Sequence, residues 1–236
     1  VSIQPVMGGS SINYVMAVSR PPSASKWFLA GGVNAANCIA AYAPIGAASL
    51  AASYTNLANP GTYTAAPGVA PTFDTATGWS FAAASTQYLT TGVVVNGGNY
   101  TVILRFSGAT DWVGTQSRPI GTANASNTNP RLFIVGHNVQ NLMYYTNGAG
   151  TANKAPQISG GVVAVAGNKA YRNGTDEGIT LPAWSGTNNN GLFIGAQNGG
   201  GTPEFYYTGS VQAAAIYDST LTAPQVAAIS AAMAAL

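Results

Sequence analysis

Hydrophobic and polar positions along this chain alternate over short distances. Residues 11–18 carry Ile12, Tyr14, Met16 and Val18 on one face at period two, the pattern of a half-buried strand. Further strand-like runs follow at 78–81, 87–90, 100–106, 131–135, 142–145, 161–166, 169–172, 191–196 and 204–217, separated by Gly, Asn and Pro. Gly167-Asn168 fits a two-residue hairpin loop, and Asn173-Gly174 is a second tight-turn signal. Many short strands parted by turns, with no strand–helix rhythm, predict an all-β sandwich of antiparallel sheets.

Helical signals are few. Asn34 is placed to cap a short helix over 35–42, and a second short helix is expected over 47–54. Residues 43–75 otherwise read as a long excursion with little regular structure. Thr222-Ala-Pro-Gln225 has capping-box spacing with proline in the first turn, and Val226, Ile229, Met233 and Leu236 make one apolar stripe. A short C-terminal helix docked on the sandwich is expected. At the other end, Ser19–Ser25 (SRPPSAS) reads as a hinge, because adjacent prolines prevent helix and disfavour a central strand. The organisation expected is therefore an arm and linker over 1–25 and one domain over 26–236.

Composition changes the picture in one respect. Of 236 residues only 6% are charged, against roughly 25% in ordinary domains. No charge falls between Lys26 and Asp74, nor between Asp74 and Arg105. Ser, Thr, Asn, Gln and Gly must wet the surface, which suits packing against copies of the chain or against neutral sugars. The eight Lys and Arg are scattered, so the footprint of nucleic-acid binding is missing. The uncharged stretches are interrupted by Gly, Pro and Asn, so no membrane insertion is expected. There is no basic segment followed by an apolar run at the N-terminus, so no signal peptide is expected. The chain opens on Val1, which reads as a processed product or a piece of a longer protein. One cysteine, Cys38, excludes an intrachain disulfide and leaves the compartment open.

Several segments in order resemble laminin G-like domains: Tyr171-Arg172-Asn173-Gly174, Leu192-Phe193-Ile194-Gly195, then Phe205, Gly209, Val211, Ile216 and Tyr217, and Leu221-Thr222 with Gln225-Val226. Phe81 through Tyr88-Leu89 and the run 100–106 extend the likeness over about residues 75–236. The resemblance implies the concanavalin A-like lectin/glucanase fold, a two-sheet jelly roll. With the alanine- and asparagine-rich lead-in, it is similar to modules of phage tail, virion and bacterial surface proteins. It implies a structural or adhesive module at the cell exterior or on a virion, whose partners are identical subunits or other surface proteins. Self-assembly through the arm residues Ile12, Tyr14, Met16 and Val18 is the mode expected. A carbohydrate-binding receptor-attachment module is the alternative, and a glucanase-like hydrolase is a third reading.

Candidate chemistry is thin. Glycoside cleavage needs two carboxylates about 5–10 Å apart. The Glu-x-Asp-x-x-Glu motif of the hydrolase relatives is absent, and Asp176-Glu177 is the one acidic pair. His137 stands alone, and Cys38 lies in an apolar context that reads as a buried thiol. The chain is accordingly not expected to be an enzyme, and no cofactor is expected beyond calcium at Asp74, or Asp111, as the resemblance implies. Asp74 reads equally as a turn residue. Neutral-sugar binding needs aromatic platforms with amide or hydroxyl partners, and for that role the candidates are Trp112, Tyr144, Trp184, Asn188 and Asn189. The alternative is that these rings simply cover sheet faces.

Overall fold

The structure, a computed structural model, describes residues 26–109, 117–125, 128–137 and 142–236, without the side chains of 135–137 and 144. The arm residues Ile12, Tyr14, Met16 and Val18, and also Trp112 and Asp111, lie outside the described residues.

The strands are β1 (Cys38–Tyr42), β2 (Ala66–Val69), β3 (Thr72–Asp74), β4 (Gly78–Phe81), β5 (Tyr88–Val94), β6 (Thr101–Ser107), β7 (Ile120–Ala123), β8 (Arg131–His137) and β9 (Leu142–Gly148). They continue with β10 (Thr151–Lys154), β11 (Gly161–Ala166), β12 (Lys169–Arg172), β13 (Thr175–Thr180), β14 (Gly191–Ile194), β15 (Gln197–Gly199), β16 (Thr202–Glu204) and β17 (Gly209–Tyr217). Two helices, α1 (Leu50–Ser53) and α2 (Ala223–Ala234), and three short 3-10 turns complete the described elements.

The strands form two sheets. One runs β13-β12-β11-β6-β17-β4-β3, with β1 also on β17. The other runs β10-β9-β8-β7-β14-β5-β2, with β15 and β16 attached beside β7. Pairing is antiparallel throughout except between β15 and β7. The chain is thus mostly β, in two antiparallel sheets closed by one short C-terminal helix.

Burial follows directly from this layering. Val102, Leu104 and Phe106 of β6 face the second sheet, where they meet a core that includes Leu89, Ile120, Leu132, Ile134 and Tyr145. Ile103 points the other way, into a second core against Val226, Ile229 and Met233 of α2 and against Trp27 and Phe28. The first sheet is therefore covered on both faces. Its central strands β11, β6 and β17 read as near-continuous apolar runs because neither face meets water there. A bulge between Val211 and Ala213 sets the alternation of β17, so that Ala214 and Ile216 face the first core and Ala213, Ala215 and Tyr217 the second. The Tyr217 hydroxyl donates to the Phe28 carbonyl at 2.8 Å, joining strand end to N-terminal turn.

α2 begins as its sequence requires. Gln225 Oε1 accepts from the Thr222 backbone N–H at 3.0 Å, and the capping box is present with Pro224 in the first turn. Val226, Ile229 and Met233 are wholly buried, whereas Leu236 falls past the helix and is exposed, so it does not extend the stripe. Truncating Ile229 or Met233 to Ala costs about 2–5 kcal/mol at such positions.

Two local expectations are corrected. Residues 35–42 are not a helix. Asn34 does accept from the Ala36 N–H, but only a 3-10 turn over Ala35–Asn37 results. The chain then becomes β1, pairing Ala40 to Ile216 and Tyr42 to Ala214. Ala40 and Tyr42 face one core and Cys38 and Ala41 the other, so an alanine run without alternation is what this strand needs. The excursion at 43–75 also contains β2 and β3, and its expected helix shortens to α1, capped by the Ser49 hydroxyl. Among the described residues no helix is long and apolar enough to cross a membrane.

Candidate functional site

A cleft of about 450 Å³ opens where the two sheets meet at one end of the molecule. Trp184 forms one wall, on the segment that follows β13, together with Pro182 and Ala183. Two contacts hold that segment in place. The Leu181 N–H donates to the Asn168 carbonyl at 2.8 Å, and the Ala149 N–H to the Ala183 carbonyl at 3.3 Å. Gly148 has φ +136, and a Cβ there would lie 2.8 Å from the Ala183 oxygen and the Trp184 nitrogen. Only glycine lets the end of β9 pass this close to the Trp184 backbone. The indole is half-buried against the inter-sheet core, and its N–H donates to the Gly186 carbonyl at 3.1 Å.

The facing wall comes from three other parts of the chain. Gly98 and Asn99 belong to the β5–β6 connection, Gly167 and Asn168 to the β11–β12 turn, and Thr220 to the approach to α2. The Thr220 hydroxyl donates to the Asn99 carbonyl at 3.1 Å, and the Asn99 amide to the Asp218 carbonyl at 2.9 Å. Asn168 is exposed and its side chain makes no hydrogen bond with the described residues.

Asn147 sits between these walls, 2% exposed. Its Nδ2 donates to the Gly98 carbonyl at 3.3 Å and to the Gly167 carbonyl at 2.7 Å. Both donor hydrogens are thereby used, and the amide orientation follows from that network. Its Oδ1 is buried and has no partner among the described residues.

The sequence candidates divide accordingly. Trp184 lines the cleft. Asn188 does not: it is wholly buried, donating to the Thr122 hydroxyl at 3.1 Å and accepting from the Asn190 N–H at 3.0 Å, so its amide is spent as a latch. Asn189 is exposed but outside the cleft lining. Tyr144 lies on β9, its side chain outside the described residues. Sequence reasoning missed Asn99, Asn147, Asn168 and Thr220. Asn168 was visible only as half of a turn signal.

The acids are occupied elsewhere. Asp74 accepts from the Ala76 and Thr77 N–H groups at 2.8 and 3.1 Å, closing its own turn. Among the described residues no group of three or more His, Cys, Asp and Glu could hold a metal. Glu177 accepts from Arg172 at 3.0 Å, and Asp176 accepts from the Gly178 N–H at 2.8 Å while facing Lys169 at 4.0 Å. Glu204 accepts from the Gln197 amide at 2.7 Å. Cys38 is 1% exposed, and burial pushes its thiol up to about 12, so it is not a nucleophile at neutral pH.

The described residues fold as a two-sheet β-sandwich. It resembles Trypanosoma rangeli sialidase in complex with 2,3-difluorosialic acid, at 12% identity and TM-score 0.55, over 82% of this chain and 32% of that one. A mutant of the same sialidase displaying trans-sialidase activity aligns at 12% identity and TM-score 0.57, over 85% of this chain and 34% of that one. This chain spans about a third of the length of these sialidases. At such identity the likeness is one of fold. No family model and no curated protein matches the sequence. These neighbours overturn the expectation of a non-enzymatic virion or adhesive module working by self-assembly. They are sialidases.

Proposed function

We propose that this chain recognises carbohydrate, holding a saccharide in the Trp184 cleft. The carrying observation is the meeting of the half-buried Trp184 with Asn99, Asn147, Asn168 and Thr220 in a single cleft. Sugar sites combine an aromatic face, which covers the C–H surface of the ring, with a few amides or hydroxyls that fix its hydroxyl groups. Fold similarity to sialidases supports the same direction. The role assigned is binding, because the carboxylates of Asp74, Asp176, Glu177 and Glu204 are each engaged within their own turn or strand neighbourhood.

We also propose kinship with the concanavalin A-like, laminin G-like sandwiches. In support, the resembling segments fall in order on β12 and its turn, β14, β17 and the start of α2.

Calorimetric titration with a panel of oligosaccharides tests the function. Binding that is lost in Trp184→Ala supports it. Binding unchanged by Trp184→Ala, or sugar turnover catalysed by the chain, contradicts it.

A further inference from the structure

The loop that leads into β2 presents a second aromatic ring on the surface. Tyr63 is 46% exposed, the most exposed large apolar side chain among the described residues. We infer that Tyr63 is a second platform for the saccharide held at Trp184, so that the ligand is an extended oligosaccharide or polysaccharide chain and not a single terminal sugar. This rests on the recognition reading and names its ligand class.

Two observations carry the inference. The first is the backbone on which the ring is held. Tyr63 has φ +49, in the left-handed region that a bulky residue enters only under constraint. The constraint comes from the loop around it. Asn56, wholly buried, accepts from the Ala41, Ala58 and Asn59 N–H groups and donates to the Ile39 and Thr62 carbonyls. The Tyr63 carbonyl in turn accepts from the buried Tyr42 hydroxyl. Glycine adopts such a backbone at less cost, so a large side chain there needs a role of its own. Phe205, at φ +54, has one in the fold: its ring covers the Arg118 guanidinium at 4.0 Å. Tyr63 stacks on no other ring or cation among the described residues. Its ring is displayed on a fixed loop, which is what an aromatic platform for a sugar requires.

The second observation is where the ring lies. A Cβ at Gly92 of β5 would stand 3.7 Å from Tyr63 Cδ1, and a Cβ at Gly191 would stand 3.6 Å from Gly92 Cα. Gly191 begins β14, at the end of the segment that carries Trp184. At the far end of the β5 continuation, a Cβ at Gly98 would stand 3.0 Å from Trp184 Cβ. Two segments, 184–191 and 92–98, therefore each connect the Trp184 cleft to the Tyr63 ring. The Asn188 N–H joins them midway by donating to Asn96 Oδ1 at 3.1 Å. Gly92 and Gly98 can stand at most about 22 Å apart, so Tyr63 lies within reach of an oligosaccharide that starts at Trp184. Asn96 and Asn189 are exposed on these two segments and offer amide groups to sugar hydroxyls.

The test is calorimetric titration of the whole chain with the disaccharides and hexasaccharides of cellulose, chitin and starch. In at least one series the hexasaccharide is expected to bind about three- to tenfold more tightly than the disaccharide. Tyr63→Gly is expected to erase that gain and leave disaccharide binding unchanged, whereas Trp184→Ala removes both. The melting temperature of Tyr63→Gly should hold, because glycine relieves the left-handed backbone. A lowered melting temperature would assign the ring to packing and overturn the inference. Trp184-dependent binding that gains nothing with length, or that keeps its gain in Tyr63→Gly, overturns the second platform and leaves recognition standing. If no saccharide binds in a Trp184-dependent way, recognition falls and the second platform falls with it.

Discussion

The side-chain amide of Asn147 donates to the Gly167 carbonyl at 2.7 Å, tying β9 of one sheet to the β11–β12 turn of the other. The bond closes the end of the sandwich where the cleft lies. Replacing Asn147 by Ala strands two carbonyls, at a cost of about 1–3 kcal/mol. For a chain of this size the melting temperature should fall by about 2–4 °C per kcal/mol. Scanning calorimetry measures the shift, and an unchanged melting temperature would show that the amide is not a structural tie.

Gly148→Ala should damage the cleft from behind. The new Cβ meets the Ala183 and Trp184 backbone at 2.8 Å, in a conformation that L-residues avoid. A stability loss of about 1–3 kcal/mol is expected, together with displacement of the Trp184 segment. The blue edge of tryptophan emission and its quenching by acrylamide report that displacement, and wild-type spectra would refute it.

Arg105 projects from the back of β6, and its guanidinium donates to the Met233 carbonyl at 2.8 Å. That carbonyl is in the last turn of α2, where it otherwise accepts only the long Leu236 N–H bond at 3.4 Å and where the helix end favours a cation. Arg105→Met should destabilise the end of α2 by about 1–2 kcal/mol. Amide hydrogen exchange should quicken in the final turn of α2 and remain slow in β6 and β17. Uniform quickening would instead point to a loss of global stability.

Alkaline pH should unfold the domain cooperatively. Burial raises Cys38 from 9.0 to about 12 and Tyr145 from 10.0 to about 12, and raises Tyr42, Tyr207 and Tyr217 as well. Below pH 9 the thiol is protonated in both states, and its contribution to stability is complete. Between 9 and 12 the unfolded chain releases protons that the native state retains, so stability falls as pH rises. Tyrosinate absorbance from these buried rings should therefore appear together with loss of the sheet signal in circular dichroism. Ionisation of all tyrosines near pH 10 with the fold intact would contradict the burial.

Parts of this architecture were legible in the sequence because local rules agree with the fold. Gly78–Phe81, Gly161–Ala166 and Lys169–Arg172 were readable from their turns and apolar runs. The capping box at Thr222 announced α2. Cys38–Tyr42 was misread because a strand buried on both faces loses its alternation, and its alanines favour helix when isolated. Thr175–Thr180 was missed for the opposite reason: a largely exposed strand at the sheet edge carries little apolar pattern. Of the cleft, Trp184 stood out as an aromatic in polar surroundings. Asn99, Asn147, Asn168 and Thr220 could not, because the packing of the two sheets brings β9, the β5–β6 and β11–β12 connections and the approach to α2 together, and nothing in their own neighbourhoods marks them.

The most direct measurement of the central claim is a two-dimensional ¹H–¹⁵N titration of the chain with a neutral oligosaccharide. The Trp184 indole N–H and the side-chain amides of Asn99, Asn147 and Asn168 should shift together and saturate with a single dissociation constant. Shifts confined to other surfaces, or none at saturating sugar, would contradict carbohydrate recognition in this cleft.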